Sequence, residues 1–109
     1  QLYSTQKMPD FEEIASINDF GDADRLEVFL GDTPALLIRI QDQFLAIEDV
    51  CTHDGQPLTK GCIEEGAIVC PRHGARFDLK TGKALCMPAT KPIQTFEVEV
   101  RDQKIYVRH

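Results

Sequence analysis

The sequence predicts an all-β domain, an antiparallel sandwich or barrel of short strands. Three observations predict it. Apolar and polar residues alternate strictly where Phe96, Val98 and Val100 interleave with Thr95, Glu97 and Glu99, the period of a half-buried strand. Turn-forming residues recur every few positions. No window sustains a helical period, and there is no internal repeat or linker.

Taken in order, Phe11 to Ala15 is expected as an edge strand. Ser16-Ile17-Asn18-Asp19 fits a capping pattern, so one short helical turn is expected there. Arg25 to Leu30 reads as a strand closed by the turn Gly31-Asp32-Thr33-Pro34. Ala35 to Ile40 and Phe44 to Glu48 form a hairpin around Gln41-Asp42-Gln43. In the middle, short strands are expected at Ala67 to Cys70, Ala75 to Asp78 and Lys83 to Leu85, with a turn at Lys80-Thr81-Gly82. The alternating Thr95 to Val100 strand turns at Arg101-Asp102-Gln103 and returns as Lys104 to His109.

Composition bounds what such a domain does. The chain has 109 residues, 42% hydrophobic and 28% charged, with 7 Gly and 6 Pro. That is one globular domain with a modest core. No apolar run approaches the roughly 18 residues of a membrane-crossing helix, and the start Gln1-Leu2-Tyr3-Ser4 is not a signal peptide. Net charge is −6, from 12 basic and 18 acidic residues. This disfavours nucleic acid and anionic membranes and suits steering toward a basic protein surface. Eight acidic residues crowd Asp10 to Asp32, opposed by Arg25 alone.

The middle segment carries the chemistry. All four cysteines lie between Cys51 and Cys86, with two of the three histidines and most of the glycines. A compact, loop-rich segment needs more than a small core to hold it, and a metal site supplies that. It reads Cys51-Thr52-His53, then 16 residues, then Cys70-Pro71-Arg72-His73-Gly74. Each half offers one thiolate and one imidazole, so two loops converging would give two sulfurs and two nitrogens. That donor set suits tetrahedral zinc, or a [2Fe–2S] cluster in which His replaces both Cys on one iron. Zinc fingers pair Cys with Cys and His with His, whereas each pair here is mixed. The histidines also argue against reading four Cys as two disulfides.

With C-x-H, a spacer of this length, C-x-x-H, the following Gly74, Phe77, Asp78 and the Thr81-Gly82 turn, the sequence resembles the Rieske family over nearly its whole length. The resemblance implies a Rieske fold. A base sandwich or barrel would use residues up to about 48 and from about 93, and an inserted cluster-binding subdomain about 49–92, in one domain spanning 1–109. It implies one [2Fe–2S] cluster as cofactor. Cys51 and Cys70 would hold the inner iron, and His53 and His73 the outer iron that takes the electron. With neutral imidazoles such a cluster is uncharged when oxidised and carries one negative charge when reduced. Its potential is then expected to fall as pH rises through the histidine ionisations.

The departures from the family's membrane-complex members are informative. Their extra loop cysteines, which form a disulfide beside the cluster, match Gln56 and Arg72 here. The Ser and Tyr whose hydroxyls bond the sulfurs match Ala75 and Phe77. Fewer donors to sulfur place the potential at the low end of the Rieske range, on the order of −150 mV. Together with the lack of an N-terminal anchor, this implies a soluble, low-potential ferredoxin. A terminal oxygenase needs a further domain with a 2-His-1-carboxylate iron site, and one histidine, His109, is left over. The reading is a one-electron carrier, not a catalytic enzyme. By resemblance it passes electrons from a flavin reductase to a terminal oxygenase, as a cytoplasmic monomer; the alternative is a stably docked Rieske subunit or an Fe–S accessory or redox-sensing protein.

Secondary expectations attach to single residues. Cys62 and Cys86, outside ligand spacing, are expected as buried or half-buried thiols, and His109 as a frayed end. Met87-Pro88-Ala89-Thr90-Lys91-Pro92 resembles the loop that covers the cluster in this family. With the histidine edges it should form the docking surface. Gly55 and Gly74 are expected where the backbone approaches closely, with nearby amides bonded to sulfur. Leu58 is a candidate cluster shield and Gln56 a residue of the exposed rim. Arg72 and Arg76 are either docking charges or ordinary surface cations.

Overall fold

The structure, a computed structural model, describes residues 11–52, 55–71, 74–87 and 91–109. The described strands are β1 (Phe11–Ser16), β2 (Arg25–Leu30), β3 (Thr33–Ile40), β4 (Gln43–Glu48), β5 (Cys62–Glu64), β6 (Ala67–Val69), β7 (Arg76–Asp78), β8 (Ala84–Cys86), β9 (Thr95–Arg101) and β10 (Lys104–Arg108). They form a six-stranded sheet in the order β1-β10-β9-β4-β3-β2 and a four-stranded sheet β5-β6-β7-β8. Every described pairing is antiparallel. Strand β9 turns the corner of the larger sheet. Thr95 and Phe96 pair with β4, while Glu97 to Arg101 pair with β10, so the sheet curls into a partly closed barrel.

Local sequence explains the turns. After β1, Ser16 caps a 3₁₀ turn at Ile17–Phe20. The Asn18 amide donates to Ser16 Oγ, and the Ser16 amide donates to Asp19 Oδ2 at 2.9 Å. The β9–β10 hairpin closes through Asp102 and Gln103, both at positive φ as a tight two-residue hairpin requires. The Gln103 carbonyl accepts from the Ile17 amide at 2.9 Å, tying this hairpin to the 3₁₀ turn.

Strand β3 explains how two cores share one wall. Ala35, Leu36, Leu37 and Ile38 are all buried, which a strand with one wet face does not allow. Ala35 and Leu37 face the barrel interior with Phe20, Leu30, Ala46, Ile105 and Val107. Leu36 and Ile38, with Ile47 of β4, face the other way and pack under the four-stranded sheet against Ile68, Phe77 and Leu79. Alternation along β3 thus sends successive side chains to opposite cores.

Two expectations are corrected here, and one strand is added. The β2–β3 turn is Gly31-Asp32 alone, and Thr33 and Pro34 belong to β3. Pro34 is tolerated because its carbonyl accepts from Asp49 N at 2.9 Å, beyond the first β3–β4 pair, Ala35 with Glu48. The reciprocal bond that its missing N–H would return to Asp49 is lost only there, at the open end of the ladder. Strand β5 was not anticipated, since a single apolar residue, Ile63, gives three residues no alternation to detect. His109 is not frayed: its Nε2 lies 2.6 Å from Glu12 Oε1 on the edge strand β1. Of the acidic run, Glu12 and Glu13 lie on β1 and Glu27 on β2, the first and last strands of the order. Asp10 lies outside the described residues.

Candidate metal centre

Two loops on the four-stranded side present the cysteines, and they close in the same way. Past β4, the Cys51 carbonyl accepts from the Gly55 amide at 2.7 Å, and the Cys51 amide donates to the Gln56 carbonyl at 2.7 Å. Past β6, the Cys70 carbonyl accepts from the Gly74 amide at 3.0 Å, and the Cys70 amide donates to the Ala75 carbonyl at 2.7 Å. Each loop therefore bonds its cysteine to the fourth and fifth residues onward. Gly55 and Gly74 sit at φ 75° and 76°, where a side chain is strained. A Cβ at either would meet nothing within 4 Å, so the glycines serve backbone conformation and not close approach. Their own amides go to carbonyl oxygens rather than to sulfur.

Both cysteines end in one apolar core. Cys51 and Cys70 are 0% and 1% exposed, together with Leu58, Ala75, Phe77 and Ile93. None of the four cysteines is in a disulfide. Ionised sulfurs buried among hydrocarbon need a compensating cation, and thiolate is the donor for iron–sulfur clusters and borderline metals. The two described members of the expected ligand set thus fit a thiolate-bound metal. His53 and His73, the other two, lie outside the described residues, as does Arg72.

Two further features hold the first loop. Thr52 Oγ1 donates to the Lys91 carbonyl at 2.7 Å, joining the loop to the far end of the Met87–Pro92 connection, of which residues 88–90 lie outside the described set. Asp49, two residues before Cys51, accepts from the Leu58 amide at 2.7 Å and from Thr59 Oγ1 at 2.5 Å. Sequence reasoning did not single out Asp49. Its signal was only a turn-forming residue between a strand and Cys51.

The remaining candidates separate. Cys62 and Cys86 are exposed, not buried, because they lie on the two edge strands of the four-stranded sheet and on its outer side. The pairs Cys62–Val69, Val69–Arg76 and Arg76–Cys86 set them at opposite ends of one row across three strand spacings, too far apart for a disulfide. Arg76 Nη2 pairs with Glu64 Oε1 at 2.9 Å on that face. Gln56 is exposed and Leu58 fully buried.

A small all-β domain that sinks two thiols into one core from two equivalent loops defines a protein of the metal–thiolate class. The chain belongs to the Rieske [2Fe–2S] domain family, whose model matches residues 10–97. Membership brings one [2Fe–2S] cluster. The chain is 44% identical over 72 residues to the 3-phenylpropionate/cinnamic acid dioxygenase ferredoxin subunit of Photorhabdus laumondii, covering 65% of this chain and 69% of that one. It is 41% identical over 78 residues to Ferredoxin CarAc of Metapseudomonas resinovorans, covering 72% and 73%. Among solved structures, a complex of reduced oxygenase and oxidised ferredoxin in carbazole 1,9a-dioxygenase contains a chain that superposes with a TM-score of 0.81 at 34% identity, covering 91% of this chain and 93% of that one. The ferredoxin of carbazole 1,9a-dioxygenase from Nocardioides aromaticivorans gives 0.82 at 25% identity, covering 89% and 95%. These relatives are named as ferredoxins, and the chain is an electron carrier of this kind rather than a catalytic enzyme. Among the described residues, no helix is long and apolar enough to cross a membrane.

Proposed function

We propose that the protein carries single electrons from a flavin-dependent ferredoxin reductase to the terminal oxygenase of a ring-hydroxylating dioxygenase system, in the cytoplasm and as a monomer. Cys51 and Cys70 would ligate the inner iron of the cluster, and His53 and His73 the outer iron. When bound, the cluster supplies reversible one-electron chemistry. The observation that carries the reading is the identical closure of the two cysteine loops, which delivers one thiol each to a common dry core.

The rest of the site has matching tasks. Leu58, Ala75 and Phe77 exclude water from the sulfurs and contribute no side-chain donor to them, which favours a low potential. Met87, 73% exposed at the start of the connection tied to Thr52, and Leu85, 49% exposed, give the cluster end an apolar surface. Transient redox encounters need only a small interface of this sort.

Iron and sulfide analysis with EPR of the dithionite-reduced protein tests the reading. Iron and sulfide in equal amounts, with the spectrum of a cluster bound by both nitrogen and sulfur, is the expected result. His73→Cys should alter that spectrum and lower the potential, because thiolate is the stronger donor. A colourless protein holding zinc, or a spectrum indifferent to His73→Cys, overturns it.

A further inference from the structure

We propose that Asp49 and Arg25 are positioning residues for the cluster: together they brace residues 58–61, the strut that sets one cysteine loop against the other. The proposal rests on the ligand assignment above for what the strut positions, whereas the strut itself is a matter of geometry.

The strut begins where the first loop ends. Leu58 is fully buried in the core that holds both cysteines. Its amide is held by Asp49 Oδ1, and Asp49 Oδ2 takes the neighbouring Thr59 hydroxyl. Asp49 is itself anchored, since its amide donates to the Pro34 carbonyl on β3. One carboxylate thus ties the chain seven residues past Cys51 to the chain two residues before it. Charge-assisted bonds of this kind are roughly twice as strong as neutral ones.

From the other side, Arg25 reaches out of β2. Its Nη1 donates to the Thr59 carbonyl at 2.6 Å and to the Gly61 carbonyl at 2.5 Å, while its Nε is held by Asp24 Oδ1 at 2.9 Å. The side chain is only 21% exposed. The strut ends on the second loop. A Cβ at Gly61 would lie 2.1 Å from the carbonyl oxygen of Val69, the residue before Cys70. Gly61 therefore lies directly against the base of that loop, and its amide closes the turn on the Leu58 carbonyl at 2.8 Å.

The chain of contact runs from Asp49 through residues 58–61 to Val69, with Arg25 locking the middle to the barrel. Cys51 and Cys70 lie two residues beyond one end and one residue beyond the other. A shift of the strut moves one sulfur relative to the other. Outer partners that orient ligands typically change metal affinity by about 10–100-fold when removed.

The test compares Asp49→Ala, Arg25→Met and Arg25→Lys with the wild type, and includes Asp19→Ala, which removes a cap of the 3₁₀ turn whose Phe20 packs in the barrel core. Three quantities are read: iron release to a chelator, the g-value spread of the reduced cluster, and amide exchange at Leu58 and Gly61. Asp49→Ala and Arg25→Met should release iron about tenfold faster, alter the g-value spread and speed exchange at the strut. Arg25→Lys, which keeps a donor, should restore most of each. Asp19→Ala should lower thermal stability and leave the g values alone. Iron release within twofold of wild type and unchanged g values in both Asp49→Ala and Arg25→Met overturn the proposal. So does an Asp19→Ala effect equal to theirs. A wild type without a [2Fe–2S] cluster overturns the functional reading instead, and strut exchange then still decides whether Asp49 and Arg25 brace residues 58–61.

Discussion

Leu36 and Leu37 are adjacent, identical in chemistry and equally buried at 0% exposure, yet they face different cores. Replacing either by Ala removes three buried carbon groups, at about 0.8 kcal/mol each, roughly 2.4 kcal/mol of transfer free energy. The residual cavity raises the cost to ~3–4 kcal/mol in each case. With a urea slope of about 2 kcal/mol/M for a domain of this size, both midpoints should fall by roughly 1.5–2 M. The cluster should distinguish them. Leu36 packs in the core that contains Cys51 and Cys70, so Leu36→Ala opens a void on the metal side and should hasten iron loss at urea concentrations below the unfolding midpoint. Leu37→Ala opens its void inside the barrel and should lose iron only as the chain unfolds. The assay follows far-UV circular dichroism and visible absorbance in the same samples. Coincident transitions in both variants, or earlier iron loss in Leu37→Ala, would refute the assignment of the two faces of β3 to separate cores.

Two further outcomes follow from the surface. Cys62 and Cys86 are exposed while Cys51 and Cys70 are buried, so an aromatic disulfide reagent should label the first pair in the native protein and all four only after unfolding. Double substitution Cys62→Ser, Cys86→Ser should abolish native labelling. Asp78 has its carboxyl pKa lowered below the ordinary 3.8, first by the Thr81 amide and then by the Lys80 amide, both donating to Oδ1. A depressed folded pKa adds stability above the unfolded value that is lost as pH falls through about 4 and below. The stability advantage of wild type over Asp78→Asn, measured by thermal unfolding, should therefore be largest near neutral pH and shrink between about pH 4 and 2.

Much of this was legible in the sequence, for stated reasons. Strict alternation at Phe96, Val98 and Val100 announced β9, and the mixed Cys-His pairs announced an unusual metal site. What was not legible depends on what lies across from a residue. Four buried residues in a row on β3 read as a strand but not as a wall between two cores. Cys62 and Cys86 looked like core thiols because cysteine is often buried. Their exposure comes from the order of the four short strands, which periodicity does not encode. Asp49 and Arg25 are 24 positions apart and meet the same four-residue stretch, 58–61, only in the fold. Glycine suggested close approach at Gly55 and Gly74, whereas the actual requirement is the sign of φ. True close approaches are at Gly61, which has no such φ, and at Gly82, which has one.

The Glu48 amide donates to the Gln94 carbonyl at 2.9 Å, just beside the pairing of Ile47 with Thr95. The chain therefore leaves the barrel and re-enters it at the same spot. The stretch that carries Cys51 and Cys70 hangs from that point as a graft with adjacent ends, the kind of attachment at which insertion and exchange are tolerated. The graft is not neutral to its host. Leu36, Ile38 and Ile47 on the barrel's outer wall are dry only because it covers them. A barrel that shed the graft would expose a hydrophobic plaque, so exchange at this site is confined to replacements that bring a cover of their own.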